Sequence, residues 1–166
     1  MAVYLLTGDD ESLLLSGVTE LVHRLVGDGD RSLMVDEFDG DEYSAGAVAD
    51  AAQTPAFLTD RRVVVARGVG RFAADDVSPL VGYLADPLPS TDLVLVAGAG
   101  RMAKALTDAI KASGGTVIET TRVYLACAHL DHDPGNNDPK NLRALCQRCH
   151  ILHDRAEHLR QRWLTY

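Results

Sequence analysis

Short, uninterrupted apolar runs alternate with helical patterns through residues 1–119, and this alternation leaves few folds open to the chain. Arg62–Arg67 encloses three consecutive valines, and Leu93–Ala97 is apolar at every position. Runs without polar alternation are typical of strands that are buried on both faces. Because helical segments lie between them, the sequence predicts an α/β fold in which helices cover both faces of a mostly parallel sheet.

Apolar spacing and turn residues place the individual elements of this region. Asp9 or Asp10 is the expected N-cap of the first helix, Ser44 can cap another, and Gly114-Gly115 is expected to end the last one. Strands are predicted at residues 3–6, 33–38, 62–67, 93–97 and 116–119, and helices at residues 14–25, 44–52, 77–84 and 102–113.

Composition changes abruptly near Thr120. Residues 1–119 hold nine Lys and Arg against nineteen Asp and Glu, whereas residues 120–166 hold seven against five. All three cysteines and five of the six histidines also lie in the second segment. We therefore expect an acidic domain at residues 1–120 and a small, slightly basic domain at residues 121–166, which is too short to be stable on an apolar core alone.

The same composition limits the partners. Direct binding of duplex DNA requires clustered Lys and Arg, so DNA is not an expected direct partner of the acidic domain. No apolar run approaches the roughly 18 residues of a membrane-spanning helix, so no membrane partner is expected. The Cys146-x-x-Cys149 spacing is typical of metal or redox chemistry, and a reducing, cytoplasmic location is expected.

Two glycine turns invite a nucleotide interpretation. A P-loop needs a Lys to hold phosphates, but the turn Thr7–Ser12 contains three carboxylates and no Lys, so we expect no ATP binding. Gly98–Ala103 fits the G-x-G-x-x-A dinucleotide fingerprint, and Glu119 follows at a suitable distance. A dinucleotide-binding protein is one alternative. A tight turn that permits close helix–strand packing is favoured, because too few residues follow to build a second mononucleotide half.

Three segments together carry a family resemblance: Val3–Glu11, Thr54–Val65, and Leu93–Gly98 with the following Lys104-Ala105-Leu106. In this order they resemble the first domain of the delta subunit of the bacterial DNA polymerase III clamp loader. The resemblance implies a nucleotide-binding-like fold without ATPase residues and a non-catalytic part of a DNA-directed DNA polymerase holoenzyme. It also implies two kinds of partner in DNA replication, the sliding clamp and the other clamp-loader subunits.

Phe57 and Leu58 match the positions at which that family inserts an apolar wedge into the ring-shaped sliding clamp. An aromatic–aliphatic pair on an exposed loop, between Pro55 and Arg61-Arg62, suits a hydrophobic anchor that enters a pocket. Without the resemblance, both side chains would be expected to cover the edge of the sheet. With it, the clamp-binding anchor is favoured.

Residues 121–166 follow a different pattern. A strand is predicted at residues 123–128, a polar loop at residues 133–141 and a helix at residues 147–163. The segments Ala128–Pro134 and Asn141–His150 contain D-H, N-L and L-C-x-x-C-H in that order. They resemble the HNH endonuclease motif, which implies a small ββα-metal fold and a divalent-metal-dependent DNA endonuclease.

The HNH resemblance implies specific roles. His132 would be the general base that Asn141 orients, and His129 a further active-site group. Asp131 and His150 would bind a divalent Mg²⁺ or Mn²⁺ that stabilises the developing phosphate charge. Arginines on the helix would contact DNA phosphates; these are Arg148, Arg155 and Arg160.

Cys146 and Cys149 suggest a zinc site, but they supply only two of the four ligands that structural Zn²⁺ takes. Cys127 and His153 could complete the set, although their spacing does not require it. The leading hypothesis is therefore a non-enzymatic, delta-like module that contacts the sliding clamp. The alternatives are an HNH endonuclease acting through the last 45 residues and, third, a dinucleotide-binding protein.

Overall fold

The structure, a computed structural model, describes residues 2–98, 102–120 and 124–164, with side chains described as far as residue 155. The chain forms two compact units, Met1–Thr121 and Arg122–Tyr166. None of the helices in these described ranges combines the length and apolar character that crossing a lipid bilayer requires.

The N-terminal unit is built on a five-stranded sheet in which every strand pairing is parallel. Its strand order is β2-β3-β4-β1-β5, so the connections that leave the neighbouring strands β1 and β4 run in opposite directions across the sheet. The predicted, mostly parallel sheet is confirmed. The strands are β1 (Val3–Thr7), β2 (Val35–Phe38), β3 (Arg62–Arg67), β4 (Thr91–Ala97) and β5 (Thr116–Glu119).

Capping residues define the ends of several helices of this unit. The Asp10 carboxylate accepts a hydrogen bond from the Leu13 N–H at 3.1 Å, and the Ser44 hydroxyl accepts one from the Ala47 N–H at 3.1 Å. Gly114 has a φ of 75° and follows the last helix, where a glycine relieves backbone strain. The helices are α1 (Glu11–Val26), α2 (Arg31–Met34), α3 (Ala45–Gln53), α4 (Ser78–Ala85) and α5 (Lys104–Ala112).

Helices cover both faces of the sheet, as predicted. Helix α1 packs Leu14, Val18 and Leu21 against one face, where the strands present side chains such as Val63 and Val65. Helices α3, α4 and α5 pack against the other face, which carries the alternate strand residues. Because strands β3 and β4 are buried on both sides, their sequences are apolar runs rather than alternating ones.

One predicted strand begins too early. Leu33 and Met34 belong to the short helix α2, and strand β2 starts at Val35. The Asp30 carboxylate accepts hydrogen bonds from the N–H of Ser32 at 2.9 Å and from its hydroxyl at 2.7 Å. This cap stabilises one helical turn before the chain enters the sheet.

The C-terminal unit is a β-hairpin followed by a helix. Strand β6 (Leu125–His129) pairs antiparallel with β7 (Leu142–Cys146), and α6 (Gln147–Leu164) begins directly after β7. The first strand and the helix were predicted from the sequence pattern. A second strand was expected only from the ββα-metal fold that the HNH resemblance implies, without a position along the chain. Among the side chains described in residues 124–155, Ala128 is the one buried apolar side chain, so this described part of the unit has almost no core.

Candidate functional site

The Phe57–Leu58 pair lies on the loop between α3 and β3 and is open to solvent. Phe57 is 95% exposed and Leu58 is 70% exposed. Folding normally buries large apolar side chains, so an aromatic side chain with almost no contacts inside its own unit is informative. The alternative that both residues cover the sheet edge does not agree with these exposures.

Ion pairs hold the base of this loop. The Arg62 guanidinium donates to the Thr54 carbonyl oxygen at 3.3 Å, which closes the loop, and also pairs with Asp36 of β2. Next to it, Arg61 lies 2.9 Å from the carboxylate of Asp92, a fully buried residue of β4. The loop ends are therefore attached to three strands, while its tip projects outward. This arrangement fixes the base of a loop whose tip exposes two large apolar side chains.

The Gly8 turn lies at the carboxyl ends of the strands, the end of the sheet opposite the Phe57–Leu58 loop. In parallel sheets, ligands usually bind beyond the carboxyl ends of two neighbouring strands whose connections run in opposite directions, and here those strands are β1 and β4. A cleft of about 450 Å³ lies there, with Asp9, Glu11 and Asp39 among its lining residues. Arg67 also lines it, but its guanidinium is 3.8 Å from Asp39. The excess of carboxylates argues against phosphate binding, so the expectation that ATP does not bind stays a prediction.

Thr120 occupies the space over Gly8. Its N–H donates to the Thr7 carbonyl oxygen at 2.7 Å, and its hydroxyl donates to the same oxygen at 3.2 Å. A Cβ added at Gly8 would lie 2.1 Å from the Thr120 hydroxyl oxygen. Gly8 is therefore needed for close packing of the chain against itself, which explains the glycine without a bound nucleotide.

The predicted dinucleotide fingerprint falls partly outside the described residues. Gly98 follows β4, and Met102 and Ala103 precede α5, but Gly100 and Arg101 lie in the part of the chain that the structure does not describe. The dinucleotide alternative thus stays a prediction from the sequence.

In the C-terminal unit, Asp131 organises the loop between β6 and β7. Its carboxylate accepts hydrogen bonds from the Asp133 N–H at 3.0 Å and from the side-chain amides of Asn136 at 2.7 Å and Asn141 at 2.8 Å. These donors lower the pKa of Asp131 to about 2, the Asp133 N–H most strongly. The Asp131 N–H in turn donates to the Asn141 side-chain oxygen at 3.1 Å. Among the described hydrogen bonds, those of Asn141 therefore orient Asp131, rather than His132 as the motif implied.

Three imidazoles converge on the carboxylate of Asp154 in α6. Oδ1 lies 3.1 Å from His132 Nδ1 and 2.9 Å from His153 Nδ1, and Oδ2 lies 3.2 Å from His150 Nε2. The His153 hydrogen bond lowers the pKa of Asp154 below its ordinary value, and His150 and His132 act in the same direction. His129 is not part of this group and instead contacts the Asn137 side-chain oxygen at 3.2 Å.

Sequence reasoning missed Asp154, although a signal was present. His150 and Asp154 are four residues apart on α6, the spacing that places two side chains on one helix face. The hairpin loop then brings His132 to the same carboxylate. Because the loop contact joins residues 22 positions apart, spacing could not predict it.

The two cysteines of the C-x-x-C pair lie at the junction of β7 and α6: Cys146 is the last residue of β7, and Cys149 lies in the first turn of α6. The Cys149 N–H donates to Cys146 Sγ at 3.5 Å, which lowers the pKa of the Cys146 thiol. Hydrogen bonding to Cys146 raises the pKa of Cys149. Cys127 is an exposed residue of β6. The described residues offer one group of three metal-ligating side chains, and it contains none of the cysteines. The geometry thus does not complete the predicted zinc set.

The predicted phosphate-contacting arginines lie on α6 or at its start. Arg148 and Arg155 are exposed and seven residues apart, so they lie on nearly the same helix face. The side chain of Arg160 lies outside the described part of the chain.

Comparisons with known proteins concern the N-terminal unit. Residues 4–120 match the family described as DNA polymerase III, delta subunit. The DNA clamp loader delta protein of Bacillus subtilis is a similar solved structure, with 26% identity and a TM-score of 0.58 over 72% of this chain. A DNA polymerase III gamma subunit-related protein of Thermotoga maritima has a similar fold, with 17% identity and a TM-score of 0.56 over 73% of this chain.

The chain spans 38% of the length of the Bacillus subtilis protein and 41% of the Thermotoga maritima protein. No curated protein sequence matches it. The family match covers well over half of the chain and includes the exposed Phe57–Leu58 loop and the Gly8 turn. The chain therefore belongs to the DNA polymerase III delta subunit family.

Proposed function

We propose that the N-terminal unit is a non-catalytic, clamp-loader module that binds the ring-shaped sliding clamp through Phe57 and Leu58. The observation that carries this proposal is the 95% exposure of Phe57 on a loop whose base is held by ion pairs. An aromatic–aliphatic pair of this kind supplies apolar area at the centre of an interface, where most binding energy is concentrated. Family membership supports the clamp-loader context.

Electrostatics support a protein partner over a nucleic acid partner for this unit. Residues 1–119 carry ten more acidic than basic side chains, which would repel the phosphate backbone of DNA. Contact with DNA is proposed to be indirect, through the clamp. The other clamp-loader subunits are proposed as further partners, as the family context suggests.

Binding to a purified bacterial sliding clamp tests the proposal. We expect the intact chain to bind an immobilised clamp in surface plasmon resonance, without a requirement for ATP. Circular dichroism on the same sample verifies that the chain is folded. A folded chain that shows no binding at high concentration would overturn the proposal.

A second candidate function, a metal-dependent DNA endonuclease, rests on the C-terminal unit. The specific observation is the contact of His132 Nδ1 with Asp154 at 3.1 Å, which leaves Nε2 of the same ring available for a proton. Exposed Arg148 and Arg155 are suited to phosphate contacts. In this candidate Asp131 and His150 hold Mg²⁺ or Mn²⁺, as the HNH resemblance implies.

Nicking of supercoiled plasmid in the presence of Mg²⁺ or Mn²⁺ tests this candidate. His132→Ala should abolish cleavage. Leu15→Ala, a variant in the other unit that is purified in the same way, should cleave like the parent. Cleavage that survives the loss of His132 would exclude the assigned role.

A further inference from the structure

We propose that His132, His153 and Asp154 form a binding site for one divalent transition-metal ion of the Zn²⁺ type, with His150 as a positioning residue. The ligand atoms of the three residues all lie within 4.8 Å of one another. Two of the separations, 3.1 Å and 2.9 Å to Asp154 Oδ1, are close to the spacing of about 3.4 Å that ligands of a tetrahedral Zn²⁺ adopt. A small adjustment of the side chains would thus admit the ion.

The ligand types favour a borderline metal over Mg²⁺. Imidazole nitrogen suits Zn²⁺ and the neighbouring transition metals, whereas Mg²⁺ prefers oxygen ligands and retains water. Two imidazoles and one carboxylate leave the fourth tetrahedral position for a water molecule. The side chains are 24–28% exposed, which provides a route for the ion and the water.

His150 holds the carboxylate from its other side. Its Nε2 lies 3.2 Å from Asp154 Oδ2, while Oδ1 faces His132 and His153. A hydrogen bond to the free oxygen of a ligating carboxylate orients that ligand towards the metal. His150 thus acts through Asp154 in this site.

The architecture of the unit provides an independent argument for a bound ion. Ala128 is the one buried apolar side chain among those described in residues 124–155, and units of this size usually need a metal or another cross-link. The site would join the β6–β7 loop, through His132, to α6, through His153 and Asp154. His132 also has a φ of 61°, a strained backbone conformation that an ion bound to its side chain would help to maintain.

This site differs from the one that the HNH resemblance implies. There, Asp131 is a ligand and His132 is a base, whereas here His132 is a ligand and Asp131 is held by loop hydrogen bonds. The two assignments exclude each other, because an imidazole bound to the ion cannot act as the general base. The proposal made here concerns ion binding and does not depend on DNA cleavage. Its failure would leave both proposed functions to be tested separately.

Competition titration measures the site directly in the full chain. The protein is stripped with EDTA, and Zn²⁺ is partitioned between it and a chromogenic chelator. We expect one Zn²⁺ per chain and no competition by millimolar Mg²⁺. Co²⁺ in place of Zn²⁺ should give ligand-field bands without thiolate charge-transfer absorption, since no cysteine is a ligand. Thiolate absorption, or no Zn²⁺ binding by a folded chain, would overturn the proposal.

Variants assign the ligands. His153→Ala and Asp154→Asn should each weaken Zn²⁺ binding by at least about 10–100-fold, the range seen when even a supporting residue is removed. His23→Ala on α1 is the matched histidine control, and the double variant Cys146→Ser/Cys149→Ser tests the thiols; both should bind like the parent. Unchanged affinity in His153→Ala and Asp154→Asn, or loss of binding in the cysteine variant, would contradict the assignment. Far-UV circular dichroism of each full-chain variant, compared with that of the parent, serves as the folding control.

Discussion

Replacing Phe57 and Leu58 together with Ala should remove most of the affinity for a sliding clamp and leave the fold intact. The side chains are 95% and 70% exposed, so truncation removes few contacts within the chain. We expect the free energy of unfolding to change by less than about 0.5 kcal/mol, as is usual at exposed positions. In the complex, full burial of each side chain would contribute about 1.5–3 kcal/mol. The dissociation constant should therefore rise by about two to four orders of magnitude.

Surface plasmon resonance on an immobilised clamp provides the measurement, and thermal unfolding of each variant provides the stability control. Leu15→Ala is a matched control, because Leu15 is an apolar side chain of α1 with 55% exposure. Its affinity should equal that of the parent. A double variant whose dissociation constant stays within about threefold of the parent value, a difference of no more than about 0.7 kcal/mol, would refute the anchor role.

Three further predictions concern other parts of the chain. Gly8→Ala should destabilise the N-terminal unit by about 1–3 kcal/mol in urea denaturation, because the new Cβ would clash with Thr120. Gly98→Ala should leave stability unchanged, because no atom of the described residues lies within 4 Å of its Cβ position. Equal urea midpoints for the two variants would contradict this explanation. The folded chain should not bind Mg²⁺-ATP in equilibrium dialysis, and saturable binding would show that the acidic cleft tolerates phosphate. The pKa of Asp131 is about 2 in the folded chain against an ordinary value of 3.8, so its loop hydrogen bonds stabilise the unit above the higher value and are lost as pH falls through the lower one. In an NMR pH titration, the chemical shifts of the Asn141 side-chain amide should change with a midpoint near pH 2. A midpoint near pH 3.8 would contradict the hydrogen-bond network.

The architecture of the N-terminal unit was predictable because the apolar pattern of its sequence follows which residues are buried. Strands β3 and β4 read as apolar runs since both faces are covered, and β3 was predicted with its observed bounds. The Ser44 cap, and a cap at either Asp9 or Asp10, were predictable because each places a side-chain oxygen before a helical pattern, and the observed cap is Asp10. The error at Leu33–Met34 arose because two apolar residues fit a strand and a helical turn equally well.

The C-terminal unit was less predictable because pairing and loop contacts determine it. Strand β7 contains Arg143 and is only partly buried, so its own sequence pattern does not identify it as a strand. Its antiparallel pairing with β6 in the structure does. The motif order identified His132 and His150, but the carboxylate that joins them, Asp154, lies outside the motif. Contacts between a loop and a helix depend on the folded path of the chain, and residue spacing does not predict that path.

Photo-crosslinking from position 57 tests the central claim most directly. The intact chain, with Phe57 replaced by a photo-reactive phenylalanine analogue, would be irradiated together with a sliding clamp, and the products mapped by mass spectrometry. We predict a crosslink from this position to an apolar pocket on the clamp, and no comparable crosslink from the same analogue at Leu15. Clamp binding without a crosslink from position 57, or equal crosslinking from both positions, would contradict the assignment of Phe57 as the clamp-binding anchor.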